Sequence, residues 1–275
     1  MQIEFWKMSG AGNDFVLIED RNYCTDIICS MAKKLCRRRL SIGADGLLAV
    51  CRLENGNIRM RYFNPDGTEA FCGNGSRCSL WWAYRRGLCG IKTNLEALPG
   101  ILEADIYNKD GNPNAGAVRM AMPVVRSAQI IDLTFTDGRN VKAISLDTGV
   151  PHCVIVLEQS ELPVFDVEKE GRAIRYNNIF QKGTNVDFIA VGQDGTVNVR
   201  TYERGVEAET LACGTGITAS AIAAGISCHI KSPVSLKSRS GEPFIIWHKL
   251  SNDNSASEIF MQGPAEIVFN GVIDC

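Results

Sequence analysis

The chain has 275 residues, a formal net charge of -2, 45% hydrophobic and 22% charged residues. That length fits one large domain or two of ordinary size, with the composition of an ordinary soluble globular protein. The near-neutral charge removes any global reason for a nucleic-acid or membrane partner, no stretch approaches the roughly 20 apolar residues that span a bilayer, and the opening Met1-Gln2-Ile3-Glu4-Phe5-Trp6-Lys7 has no apolar signal core.

In chain order, residues 3–7 read as a strand, Ser9-Gly10-Ala11-Gly12-Asn13-Asp14 as a loop and residues 15–18 as a second strand. Residues 25–40 have helical periodicity, with Ile28, Met31, Ala32 and Leu35 on one face. The basic run Lys33, Lys34, Arg37, Arg38 and Arg39 reads as a solvated face whose cations favour a helix C-terminus. Gly43-Ala44-Asp45-Gly46 is a turn before a strand at 47–52, Asn55-Gly56 marks a hairpin, and residues 58–63 form a strand before the turn Asn64-Pro65-Asp66-Gly67. A helix then runs to about residue 87. From residue 91 onward, β-rich segments alternate with turns at Gly111-Asn112-Pro113-Asn114, Asp137-Gly138 and Asp194-Gly195. The break at 108–116 is the candidate domain boundary. A strand at 197–201, a polar turn Tyr202-Glu203-Arg204-Gly205 and another helix repeat the earlier order. Residues 251–257 read as a polar loop, and 258–268 and 270–273 as closing strands.

Eleven cysteines and three histidines occur, with no Cys-x-x-Cys. An odd count without a signal core reads as reduced thiols in the cytoplasm, and no metal site is expected. Cys29, Cys36, Cys51 and Cys228 read as small buried hydrophobes. Two cysteines differ. Cys72-Gly73-Asn74-Gly75 and Cys213-Gly214-Thr215-Gly216 each open an Ala/Ser-rich helical segment, and they lie 141 positions apart, about half the chain. A cysteine at a helix N-terminus meets unpaired N–H groups and the positive end of the helix dipole, which together lower a thiol pKa and bind carboxylate. A duplicated architecture explains the spacing.

Five motifs together resemble the diaminopimelate epimerase family: Gly10-Ala11-Gly12-Asn13-Asp14-Phe15, Asn64-Pro65-Asp66-Gly67, Cys72-Gly73-Asn74-Gly75, Gly149-Val150-Pro151-His152, and Tyr202-Glu203-Arg204-Gly205 through Cys213-Gly214-Thr215-Gly216. They occur in the family's order and span the chain. The resemblance implies an α+β fold of two pseudo-symmetric domains, each a curled mixed β-sheet around a central helix, with the site in the cleft between them. It places an N-terminal domain at 1–116, completed by strands from about 264–275, and a C-terminal domain at 117–263.

The resemblance further implies epimerisation of LL-2,6-diaminopimelate to the meso form without pyridoxal phosphate or any other cofactor, for lysine and peptidoglycan precursor synthesis. Cys72 and Cys213 take the catalytic positions. Asn13, Asn64, Asn185, Glu203 and Arg204 take substrate-binding positions, and His152 a supporting one. A small-molecule substrate and a homodimer are implied, with neither nucleic acid nor membrane as partner. Two positions depart from the family: Val150 stands where asparagine is common, and Gly46 where some members have glutamine.

The residues allow this chemistry on their own terms. An α-carbanion needs an electron sink, or fixed donors aimed at the carboxylate. The N–H groups of Gly73, Asn74, Gly214 and Thr215 supply the latter at two helix starts. One thiolate takes a proton from one face and one thiol returns a proton to the other. Taken alone, each residue has a plainer reading. A single Cys-Gly-x-Gly is more often a buried thiol, Glu203-Arg204 a surface ion pair, Asn13 and Asn64 turn residues, and His152 a satisfied core histidine. For the two cysteines, the paired helix-starting arrangement in register with the other motifs reverses those odds. A proline or hydroxyproline racemase shares the two-thiol chemistry. A thiol redox protein and a non-catalytic binding module are the readings from other classes.

Overall fold

In the computed structural model, which describes residues 2–98, 100–108 and 112–274, the chain opens with β1 (Gln2–Gly10) and β2 (Asn13–Glu19). They pair from Phe5↔Ile18 to Gly10↔Asn13. Only Ala11 and Gly12 form the turn, both at positive φ (64° and 92°), the combination whose twist matches that of paired strands. The six-residue loop expected at 9–14 is therefore a two-residue hairpin, and Asn13 sits on a strand.

The chain divides into two compact units, residues 1–120 with 262–275, and residues 121–261. The first continues with α1 (Thr25–Leu35), β3 (Gly46–Arg52), β4 (Ile58–Phe63), β5 (Glu69–Ala70), α2 (Gly73–Arg85), β6 (Lys92–Ala97), β7 (Gly100–Asn108) and β8 (Ala115–Ala121). Helix α1 buries Ile28, Met31, Ala32 and Leu35 as its periodicity predicts, but it ends at Cys36 rather than residue 40. Only Lys33 and Lys34 of the basic run lie in its last turn. Arg37, Arg38 and Arg39 lie beyond it; all five basic side chains are exposed, as the solvated-face reading requires, and Arg38 also pairs with Asp14 and Asp45. The turn expected at Gly111-Asn112-Pro113-Asn114 begins outside the described residues, as does part of the break at 108–116.

The second unit holds β9 (Ala128–Thr134), β10 (Asn140–Asp147), β11 (Pro151–Val156), α3 (Val167–Arg175), β12 (Asn185–Val191), β13 (Val197–Glu203), β14 (Ala208–Thr210), α4 (Gly214–Cys228), β15 (Val234–Lys237) and β16 (Pro243–Leu250). The last strand, β17 (Ala256–Asp274), begins in the second unit and ends in the first. Helix α3 falls where only strands and turns were expected. Asp166 caps it by accepting the Lys169 N–H, and it buries Val167, Glu170, Gly171 and Ile174. At nine residues with a central glycine, its pattern is too short to stand out from its sequence neighbours. Tyr202 and Glu203 belong to β13, so the expected polar turn starts at Arg204.

In the first unit the pairings run β17–β1–β2–β3–β4–β6–β7–β8 and back to β17, a closed ring. It is mixed, because β2 with β3 and β4 with β6 are parallel. The two closing strands expected at 258–268 and 270–273 are one strand. Lys7 pairs with Phe269 and Met8 with Ile267, so Val268 is an extra residue and makes the irregularity. Inside the ring, α2 is buried continuously from Asn74 to Ala83. A Cβ on Gly116 of β8 would lie 2.4 Å from the Trp81 ring, so the strand passes the indole only because it is glycine there.

The second unit pairs β9–β10–β11–β12–β13–β15–β16, again with two parallel joints, β11 with β12 and β13 with β15. Its central helix is α4, buried from Gly216 to Ala224. The element order β-β-α-β-β-β-α-β-β-β runs once from β1 to β8 and once from β10 to β17. Each unit is thus a curled mixed sheet around a central helix, and the order is duplicated.

Candidate active site

Each central helix begins with one cysteine. Cys72 is the N-cap of α2 and Cys213 the N-cap of α4, both with extended backbones (φ -140°, ψ 113° and φ -114°, ψ 113°). The first intrahelical bonds run from Ser76 N–H to the Cys72 carbonyl (2.9 Å) and from Ile217 N–H to the Cys213 carbonyl (2.8 Å). The N–H groups of Gly73, Asn74, Gly214 and Thr215 precede those bonds and have no intrahelical acceptor. Glycine at the fourth motif position has a steric cause. A Cβ on Gly75 would lie 2.7 Å from Leu48 Cδ2, and one on Gly216 2.4 Å from Asp187 Oδ1.

Around Cys72 the partners are amides and charges. Its Sγ accepts the Gly75 N–H at 3.4 Å and lies 3.7 Å from Asn13 Oδ1. That oxygen also accepts Asn74 Nδ2 at 3.3 Å, and Asn13 Nδ2 donates to Asp45 Oδ2 at 2.6 Å. Arg38 bridges Asp14 and Asp45, and Lys7 donates to Asp14 and to the Gly43 carbonyl. Desolvation works to raise the Asp14 carboxyl, yet Arg38 and Lys7 hold it below its ordinary value. The fully buried Arg77 fixes Asn74, donating to its Oδ1 at 2.8 Å and to the Pro264 carbonyl at 3.2 Å. Asn64 stands in the turn after β4, its Oδ1 2.9 Å from the Tyr62 hydroxyl and its Nδ2 donating to Thr68 Oγ1 at 3.0 Å. Asn13, Asn64, Gly73 and Asn74 thus all belong to the first unit with Cys72.

Around Cys213 the partners form a chain. Its Sγ lies 3.3 Å from Thr215 Oγ1, which lies 3.0 Å from His152 Nε2. His152 Nδ1 lies 2.7 Å from Asp187 Oδ2, and Asp187 Oδ1 accepts the Thr201 hydroxyl at 2.7 Å. His152 and Asp187 are wholly buried. Asn185 is buried too. Its Oδ1 accepts the Arg204 backbone N–H at 2.8 Å, and its Nδ2 lies 3.4 Å from the Pro151 carbonyl and 3.3 Å from His152 Nε2. The Arg204 guanidinium donates to the Lys182 carbonyl at 3.0 Å. Val150 lies in the turn between β10 and β11, where its carbonyl accepts the Thr148 N–H at 3.2 Å.

One expectation fails here. A helix N-terminus was expected to lower both thiols, but Cys213 is pushed well above the ordinary thiol value. Burial is the main cause, and the carboxylates of Glu203 and Asp187 add to it, against smaller opposing bonds from Thr215 and the Gly216 N–H. Burial thus favours the neutral thiol at Cys213. The cysteines read as buried hydrophobes also divide. Cys36 is buried, whereas Cys29, Cys51 and Cys228 are partly exposed. Sequence reasoning gave no role at the site to Arg38, Asp45, Tyr62, Arg77, Asp187 or Thr201. Asp187 was visible in Gly183-Thr184-Asn185-Val186-Asp187, but its partner His152 lies 35 positions away.

A family model described as diaminopimelate epimerase matches residues 5–125 and 144–268. The chain is 40% identical to the diaminopimelate epimerase of Aquifex aeolicus, across 98% of this chain and 97% of that protein. It is 36% identical to that of Archaeoglobus fulgidus, across 99% and 97%. Among solved structures, a phenazine biosynthesis protein of the PhzF family from Bacillus anthracis has a TM-score of 0.75 at 15% identity, with both chains covered completely. A hydroxyproline epimerase from Agrobacterium vitis has a TM-score of 0.67 at 13% identity, with 99% and 92% covered. These two share the fold. With the family model spanning most of its length and such relatives across nearly all of it, the chain belongs to the diaminopimelate epimerase family.

Proposed function

We propose that this protein interconverts LL- and meso-2,6-diaminopimelate by two-base proton transfer at Cys72 and Cys213, without pyridoxal phosphate. The observation that carries the reading is the duplicated start of the central helices: one cysteine cap on each, followed by N–H groups with no helical acceptor. In the reaction one cysteine, as thiolate, takes the α-proton and becomes a thiol. Electron density moves into the substrate carboxylate, where fixed N–H donors stabilise it. The other cysteine gives its proton to the opposite face and becomes the thiolate. Atoms and charge balance, and the two thiols have exchanged roles. The burial that favours a neutral thiol at Cys213 fits the donor role.

Asn13, Asn64, Asn185, Glu203 and Arg204 hold the substrate in this reading, and His152 supports Cys213 through Thr215. A cytoplasmic homodimer supplying lysine and peptidoglycan precursors completes it. Among the described residues, no helix is long and apolar enough to cross a membrane.

Proton NMR of LL-diaminopimelate with the protein in heavy water tests the proposal. Deuterium should enter at the α-carbon while the meso form appears, and activity should survive hydroxylamine and dialysis. The second reading, a racemase for proline or hydroxyproline, is favoured by the fold shared with the hydroxyproline epimerase. Deuterium exchange into proline or trans-4-hydroxyproline, with none into diaminopimelate, would replace the first reading by the second.

A further inference from the structure

The polar chain behind Cys213 contains a residue without a counterpart in the other unit. In the duplicated order β12 corresponds to β3 and β13 to β4. Asp187 is the third residue of β12 and pairs with Thr201, the fifth of β13. Leu48 is the third residue of β3 and pairs with Tyr62, the fifth of β4. The glycines agree, because Gly75 abuts Leu48 and Gly216 abuts Asp187. The fold therefore accepts leucine at this place. A wholly buried carboxylate is costly there unless every oxygen is hydrogen-bonded, so its presence calls for a role that leucine does not fill.

Both oxygens of Asp187 are engaged, Oδ2 by His152 Nδ1 at 2.7 Å and Oδ1 by the Thr201 hydroxyl at 2.7 Å. A carboxylate only accepts, so Nδ1 carries a hydrogen, while Nε2, facing the Asn185 amide donor, is left to accept. Nε2 faces two donors, Thr215 Oγ1 at 3.0 Å and Asn185 Nδ2 at 3.3 Å. A Thr215 hydroxyl that gives its hydrogen to Nε2 turns a lone pair toward Cys213 Sγ, 3.3 Å away. The bonds then run one way: thiol to hydroxyl, hydroxyl to imidazole, imidazole to carboxylate.

We propose that Asp187 is a positioning residue for the epimerisation: by holding His152 as the Nδ1–H tautomer it sets the direction of the hydrogen bonds that end at Cys213, with the thiol donating. The kinetic half of this rests on the proposed reaction; the tautomer does not. In Asp187→Asn the amide oxygen accepts Thr201 and the amide nitrogen faces His152 Nδ1. The ring must then carry its hydrogen on Nε2, Thr215 accepts it, and the Thr215 hydrogen turns toward sulfur.

The test is nitrogen-15 NMR of histidine-labelled, ligand-free protein, with His152 identified by its loss in His152→Gln and distinguished from His229 and His248. The native protein should show His152 with hydrogen on Nδ1, and Asp187→Asn should show it on Nε2. In the same variant kcat should fall roughly 10²–10⁴-fold, as when a triad aspartate is replaced and the wrong tautomer results, with KM changing far less. Asp187→Leu, the residue of the sister unit, should fold and lose the fixed tautomer, which guards against an unfolded Asp187→Asn. A native His152 with hydrogen on Nε2 overturns the proposal. So does undiminished kcat in Asp187→Asn, or a loss of kcat while the hydrogen stays on Nδ1, which marks a merely structural role. If the native protein does not act on diaminopimelate, the reaction reading falls while the spectrum still decides the tautomer.

Discussion

Gly46 and Tyr62 occupy one space: a Cβ on residue 46 would lie 2.2 Å from Tyr62 Cε2. Where some family members carry glutamine at this position, this chain has no side chain, and a phenol ring fills the volume. The Tyr62 hydroxyl reaches Asn64 Oδ1 at 2.9 Å, so the departure at Gly46 is coupled to a candidate substrate-binding asparagine. Gly46→Ala should destabilise the protein by about 1–3 kcal/mol through overpacking and raise KM by displacing Tyr62. Gly46→Gln combined with Tyr62→Ala should be more stable than the sum of the single changes, with a coupling of roughly 0.5–3 kcal/mol in urea unfolding. Strict additivity would mean that the two side chains do not compete.

The two thiols are tested one at a time. Cys72→Ala and Cys213→Ala should each abolish epimerisation followed by NMR. The serine variants should lose roughly 10²–10⁴-fold, since a hydroxyl is a poor acid–base group near neutral pH. Turnover at the native rate by either alanine variant would remove the two-base assignment.

Buried thiols should make the fold less stable at alkaline pH. Burial pushes Cys36 and Cys78 up to about 12, and Cys153 and Cys213 also upward. A thiol that stays protonated in the native state and ionises in the unfolded chain stabilises the fold fully below the unfolded value. Its contribution is lost as pH rises from there to the folded value. From the ordinary 9.0 to about 12 for Cys36 and Cys78, stability should fall by about 1.4 kcal/mol per pH unit for each such thiol. Urea unfolding across that range measures it. A flat profile would show that the buried thiols ionise freely in the native state.

Asn13 is held by charges it does not itself carry. Its Nδ2 donates to Asp45, which Arg38 ties to Asp14. Asp45→Ala should free the Asn13 side chain and lower kcat/KM roughly 10–100-fold through misplacement near Cys72. Because these groups are partly exposed, stability should change little. Native kcat/KM in that variant would show that the β1–β2 hairpin alone positions Asn13.

The fold was legible wherever local patterns and motif order agreed. The Asn55-Gly56 hairpin and the strand at 58–63 lie where read, because turn chemistry and alternation are local. The misreadings have physical reasons. Ala11 at φ 64° tightens a turn that reads as a loop, because a non-glycine residue rarely adopts that conformation. Val268 interrupts the alternation of a continuous strand, so β17 reads as two. At the site, the cysteine caps follow from the glycines beside them. The Asp187–His152 and Gly46–Tyr62 pairs join residues from different strands and leave no pattern in either segment. The Cys213 shift depends on burial, which outweighs the opposing bonds from Thr215 and the Gly216 N–H at the helix start.

The outermost pairing of β17, Asp274 with Gln2, sets a timetable for synthesis. A ribosome emits β1 long before its partner β17, so β1 waits for β17 before the ring closes. A nascent chain stopped after β8 lacks one wall and exposes the edges of β1 and β8, sites for pairing with a neighbouring chain. A chain whose ends are joined and which is reopened within the turn between β16 and β17 would deliver β17 directly ahead of β1. It would complete the first ring with about half the protein made, and should then aggregate less during translation.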